Sequence, residues 1–167
     1  MTDQERYQRA YEYAAKKHAG QYRIGGKPYM THPEAVAAAL RAQGYDVDYQ
    51  ITGLFHDLLE DTDASETEIK ALGGREVLEA VRLLTKRPGY VMADYIAGIK
   101  KNPMARAVKA ADRLHNLKSA SACSEKFKRN YIKESTEWYL DFLPEIGTAV
   151  RELEETLKKT LKKTPKD

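Results

Sequence analysis

The sequence predicts an all-α fold, a single compact bundle of about eight helices. Three observations predict it. No segment alternates apolar and polar residues with β-branched enrichment, so strand signals are nearly absent. Helix caps and stops recur along the whole chain. Between them, apolar residues return at helical spacing. The 167 residues suit one domain, spanning 1–167, at ~150 residues per domain. Such a domain can bury roughly 70% of the surface its unfolded chain exposes, enough to fold without a disulfide or structural metal.

The elements follow in order. Thr2 or Asp3 caps a first helix that runs to about His18, with Tyr7, Ala10, Tyr11 and Ala14 on one face. Gly20 stops it. Gln21 to Thr31 contains Gly25, Gly26 and Pro28 and reads as a loop. Pro33 suits a first helical position, and the second helix continues to Ala42. A third helix is expected from about Val47 to Asp61. Ser65, with Glu68 three residues on, forms a capping box for a short helix ending near Leu72. Arg75 to Lys86 is a further helix, stopped by Pro88-Gly89, and Met92 to Lys100 another. Pro103 opens a long helix reaching about Ala122. The last helix runs from about Glu125, bent near Pro144-Gly147, to about Lys163.

Composition excludes several function classes. Lys+Arg 28 against Asp+Glu 25 gives a net charge of only +3. Most of that excess lies in a lysine-rich tail over about 148–167, at Lys158, Lys159, Lys162, Lys163 and Lys166. A solvated helix end explains those lysines, which also suit the helix dipole. A nucleic-acid partner is therefore not expected. No run of ~18 apolar residues is present, so no membrane span is expected. The N-terminus is too charged for a signal peptide. One cysteine, Cys123, excludes an intramolecular disulfide and fits a reducing compartment. It reads as a packing residue. The expected location is the cytoplasm.

The third helix carries polar residues that do not fit its apolar surroundings. In ITGLFHDLLEDT, His56, Asp57, Glu60 and Asp61 fall within an arc of roughly 140°, opposite Phe55, Leu58 and Leu59. Three carboxylates and a histidine on one stripe repel one another and lose hydration if buried. A divalent cation would relieve both costs. The alternative is a solvated amphipathic face, but such a face usually mixes in lysine, and this one has none. A second cluster lies in VKAADRLHNL. Lys109, Asp112 and Asn116 share roughly 60° of one helix face. Asp112 suits a further metal ligand; the alternative is a local Lys109–Asp112 ion pair worth at most ~0.5 kcal/mol. His32, just before Pro33, is held at a helix start and suits a ligand as well. Taken together, these donors match Mn²⁺, Fe²⁺ or Zn²⁺.

The strings HAGQYRIGGKPYMTHP, GLFHDLLEDT, the LLTK ending at Lys86, and VKAADRLHNL resemble HD-domain phosphohydrolases. The finer pattern is similar to the hydrolase domain of RelA/SpoT-type proteins, above all the stand-alone small alarmone hydrolases. A weaker match continues through KESTEWY, so the resemblance covers about residues 5–145. It implies hydrolysis of the 3′-pyrophosphate of guanosine tetra- and pentaphosphate, (p)ppGpp, a small-molecule nucleotide. It implies His32, His56, Asp57 and Asp112 as ligands of one metal, usually Mn²⁺. It implies Glu60 and Asp61 as the acidic pair serving water and proton transfer, Arg23 packing on the base, and Asn116 facing the nucleoside and phosphate end. Position alone adds Lys86 and Lys109 as candidates for balancing phosphate charge. The loop departs from the family at Ile24, Gly25 and Lys27, where lysine, serine and glutamate are frequent. Those departures bear on base selectivity. The alternatives are a phosphohydrolase of another phosphorylated nucleotide and a catalytically silent nucleotide-binding module. The length leaves room for a hydrolase domain and no synthetase, which favours a stand-alone enzyme.

Overall fold

A computed structural model describes residues 1–163. Lys166, one of the tail lysines, lies outside the described residues. Among the described residues all regular structure is helical, apart from an isolated bridge between Tyr22 and Pro28. The chain forms two compact units, Met1–Asp112 and Arg113 onward.

The first unit begins with α1 (Asp3–Lys17), where Thr2 and Glu5 complete a capping box. It continues with α2 (Thr31–Ala42), α3 (Val47–Phe55), α4 (Leu58–Asp61), α5 (Glu66–Gly73), α6 (Arg75–Leu84), α7 (Met92–Lys101) and the start of α8 (Pro103–Ser119). Helix α3 is the hub and packs against α1, α2, α5 and α6. Every residue from Gln50 to Phe55 on it is buried. An all-round apolar helix has no solvent face to spare, so its neighbours must enclose it. Gly53 makes the α2 contact close. A Cβ there would lie 3.1 Å from a Leu40 methyl and 3.3 Å from the Ala37 backbone.

The expected third helix is two elements. Its break falls at His56-Asp57, and the cause is local. The His56 ring takes the Gly53 carbonyl, the acceptor an unbroken helix would offer to the Asp57 N–H. The ladder resumes with Asp61 N–H donating to the Asp57 carbonyl at 3.0 Å. Helix α2 also starts earlier than expected, at Thr31 rather than Pro33. Pro33 is still in the first turn, where its missing N–H costs nothing. His32 therefore sits inside a helix rather than ahead of one.

The second unit holds the end of α8, a 3-10 turn (Ala120–Ala122), α9 (Glu125–Trp138) and α10 (Pro144–Lys163). The expected bend in a last long helix is a full interruption, so α9 and α10 are separate helices packed on each other. Ser124 caps α9, and Ile146, Val150 and Leu153 of α10 are buried. Arg113 is 3% exposed and lies between two tyrosine rings, 4.1 Å from the centroids of both Tyr131 and Tyr139. It also pairs with Glu134 at 2.5 Å. Cys123 is half-buried, as expected for a packing residue.

Phe55 shows how strongly α3 anchors the first unit. It is fully buried and meets the Tyr13 ring edge-on, centroids 5.9 Å apart. Phe55→Ala is expected to lower unfolding stability by about 3–5 kcal/mol, since burial is lost and a cavity remains. Urea unfolding followed by circular dichroism measures it.

Candidate metal centre and active site

His32, His56 and Asp57 each offer a donor atom, and these atoms all lie within 4.8 Å of one another. The group could hold a metal ion. Asp112 adjoins it: its Oδ1 is 2.8 Å from His32 Nε2 and 3.3 Å from His56 Nε2. Helix α2 brings His32, the break after α3 brings His56 and Asp57, and α8 brings Asp112. His32, His56 and Asp112 are all buried.

Each shifted charge in the group is opposed by its own burial and stabilised by its neighbours. Burial alone disfavours a charged His56, but Asp57 and Asp112 outweigh it and hold its pKa well above the ordinary value. Burial alone would raise the Asp57 carboxyl; the charge of the adjacent His56 reverses that and brings it down to about 2. Asp112 is likewise opposed by burial, yet Lys109, His56 and His32 hold it well below the usual carboxylate range. The Lys109–Asp112 ion pair is present at 3.1 Å. It does not compete with the cluster, because it uses Oδ2 while the histidines face Oδ1.

The orientation of His56 fits a metal ligand. A carbonyl can only accept, so Nδ1 carries the proton that meets Gly53 O at 2.6 Å. Nε2 is left turned into the cluster. It is buried, 3.1 Å from Asp57 Oδ2 and 3.3 Å from Asp112 Oδ1, without an aligned hydrogen bond to either. Metal-binding histidines are held in this way, one nitrogen anchored and the other presented. Two imidazoles and two carboxylates suit a first-row divalent ion.

The acidic pair lies one helical turn beyond. Glu60 and Asp61 are exposed at the end of α4. Glu60 Oε1 accepts the backbone N–H of Lys86, which ties α4 to the segment after α6. Partial burial and the charges of Asp57 and Glu60 push the Asp61 carboxyl up to about 6. The substrate loop of the sequence reading is a tight hairpin. Arg23 N–H donates to Lys27 O, and Tyr29 N–H donates to Gln21 O, both at 2.8 Å. Gly25 and Gly26 turn it with φ of +104° and +96°, a region other residues avoid. Arg23 sits with its guanidinium carbon 6.0 Å from the Tyr29 ring centroid. Lys86 and Lys109 both lie near one ring, their ammonium groups 5.5 and 5.8 Å from the Tyr95 centroid. Asn116 belongs to the second unit, four residues past Asp112 in sequence.

Three partners have no local sequence signal. The Lys86 amide that holds Glu60 is a backbone group. His18 caps α1 through its own backbone N–H, and its ring packs on Tyr29 at 4.8 Å. Tyr29 donates its hydroxyl to Asp57 Oδ2.

Loading the site must displace the proton that Asp57 and Asp112 keep on His56. At pH 7, Mn²⁺ binding is expected to release about one proton, and affinity to fall as pH drops. Calorimetric titration in buffers of different ionisation enthalpy measures the release; heats independent of buffer would contradict it. His32→Ala and Asp57→Ala should each bind less metal by elemental analysis.

The HD domain family model matches residues 10–142. A guanosine-3′,5′-bis(diphosphate) 3′-pyrophosphohydrolase of Aquifex aeolicus is 34% identical over 151 residues, covering 86% of this chain and 22% of that protein. A GTP pyrophosphokinase of Myxococcus xanthus is 33% identical over 153 residues, covering 83% and 20%. The bifunctional (p)ppGpp synthase/hydrolase SpoT of Escherichia coli is 31% identical over 153 residues, covering 85% and 22%. The chain thus spans about a fifth of the length of these relatives. A solved structure described as a metazoan ortholog of SpoT that hydrolyzes ppGpp shares the fold, with a TM-score of 0.67 at 24% identity over 92% of each chain. With its adjacent His56-Asp57 pair set among His32 and Asp112, the chain belongs to the HD domain family.

Proposed function

We propose that this chain is a metal-dependent phosphohydrolase that removes the 3′-pyrophosphate of (p)ppGpp, giving GDP or GTP and pyrophosphate. The observation that carries the reading is the convergence of His32, His56, Asp57 and Asp112, with two further carboxylates one turn away. The activities named for the relatives support the choice of substrate, and Mn²⁺ is the proposed metal. A divalent ion bound by the four residues would supply a water of lowered pKa and a Lewis acid for a phosphoryl oxygen.

The chain's own groups would do the rest. Glu60, braced by the Lys86 amide, orients the attacking water and accepts its proton. Asp61, with a pKa of about 6, exchanges a proton near neutral pH and serves the leaving 3′-oxygen. Arg23 offers a planar guanidinium that can stack on a base. Lys86 and Lys109, both beside Tyr95, balance phosphate charge. The protein acts in the cytoplasm, as one hydrolase domain, with no nucleic-acid or membrane partner.

The loop favours a second reading of specificity. Ile24, where lysine is frequent in the family, is 70% exposed and offers no polar group to a base edge. Relaxed base choice is expected. Comparing 3′-pyrophosphates of guanosine and adenosine tests it, and strict guanine preference would count against it.

Incubation with (p)ppGpp and Mn²⁺ should release pyrophosphate, and a chelator should stop it. Glu60→Gln should keep its metal and fold while losing at least ~10²-fold in kcat. Wild-type turnover in that variant would remove Glu60 from the reaction. Binding without turnover would instead leave a silent nucleotide-binding module.

A further inference from the structure

We propose that Tyr29 is a positioning residue for the metal centre, fixing Asp57 through a hydrogen bond from outside the ligand set. The inference rests on the metal-centre reading but not on the substrate. The Tyr29 hydroxyl donates to Asp57 Oδ2, and that same oxygen is the one 3.1 Å from His56 Nε2. One lone pair of Oδ2 therefore accepts from Tyr29 while another faces the cluster. A carboxylate so bound cannot swing its Oδ2 away without breaking the bond. Its donor atom is held ready before any ion arrives.

Tyr29 is itself held, as an effective brace must be. Its ring packs on His18 at 4.8 Å and meets the ligand His32 edge-on, centroids 6.0 Å apart. His18 is 2% exposed and fixed in turn, with Nδ1 2.8 Å from Gln21 Oε1. The Gln21 amide donates to the Asp61 carbonyl at 2.9 Å. The Tyr29 backbone N–H closes the hairpin on Gln21 O. His18, Gln21 and Tyr29 thus join the loop to both ends of the His56–Asp61 segment. Every link is a hydrogen bond or ring contact within the first unit. Partners of this kind commonly change metal affinity 10–100-fold when removed.

Tyr29→Phe keeps the ring and deletes only the hydroxyl. Its Mn²⁺ affinity, measured by competition with a chromophoric chelator, should fall about 10-fold or more. Melting of the metal-free protein should stay within a few degrees of wild type. Activity lost at limiting Mn²⁺ should return in excess Mn²⁺, which repair of a packing defect would not achieve. Tyr22→Phe, an exposed tyrosine of the same loop, should bind Mn²⁺ as wild type does. Affinity within twofold of wild type in Tyr29→Phe overturns the proposal. So does a metal-free melting point lowered by more than about 10 °C, which would make Tyr29 a packing residue. Wild type binding neither Mn²⁺ nor Zn²⁺ would overturn the metal-centre reading and this inference together.

Discussion

Two imidazoles and two carboxylates are gathered largely out of water, with donor atoms of His32, His56 and Asp57 within 4.8 Å of one another and Asp112 against both histidines, and the first unit is organised around that constraint. A lone buried charge costs several kcal/mol. Here each charge is opposed by its own burial and rescued by a neighbour: Asp57 by His56, Asp112 by Lys109 and both histidines. The arrangement works only if the helices that carry the groups are rigid. Helix α3 provides that rigidity by being buried on every side. Gly53 serves it twice, letting α2 approach closely and offering its carbonyl to His56.

Distance from this buried group separates the roles of the carboxylates. Asp57 and Asp112 lie inside and are held ionised by cationic neighbours. Glu60 and Asp61 lie one turn out, exposed, beyond the reach of most of that compensation. Asp61 instead feels the negative charges of Asp57 and Glu60 and rises to about 6. Carboxylates whose environments drive their pKa values apart are suited to different work, some to binding a cation and others to moving a proton.

The second unit solves a related problem with different groups. Arg113 is buried, and a guanidinium cannot shed its charge. Its two terminal nitrogens donate to Ser135 and Glu134, and its charge lies against Tyr131 and Tyr139, all within that unit. An arginine placed between aromatic faces keeps both its charge and its packing, since rings accept the cation and exclude water. The ADR string that ends the first unit and opens the second therefore serves two sites with consecutive residues.

The sequence by itself determined the all-helical class and most helix starts. Thr2, Ser65 and Pro103 act through backbone groups within a few residues, so their effect is written locally. It also marked His56, Asp57, Glu60 and Asp61 as out of place, because three carboxylates and no lysine on an apolar helix is a compositional anomaly. Only the tertiary structure decided how these residues meet. The break at His56-Asp57 leaves no trace in the apolar period, since one side chain capturing a carbonyl three residues back changes no residue type. The His32–Asp112, Tyr29–Asp57 and Lys86–Glu60 contacts span 80, 28 and 26 residues. Such pairings depend on where whole helices pack, and one of them uses a backbone amide that every residue but proline possesses. Local chemistry fixed which groups were available; packing around α3 fixed which of them share a centre.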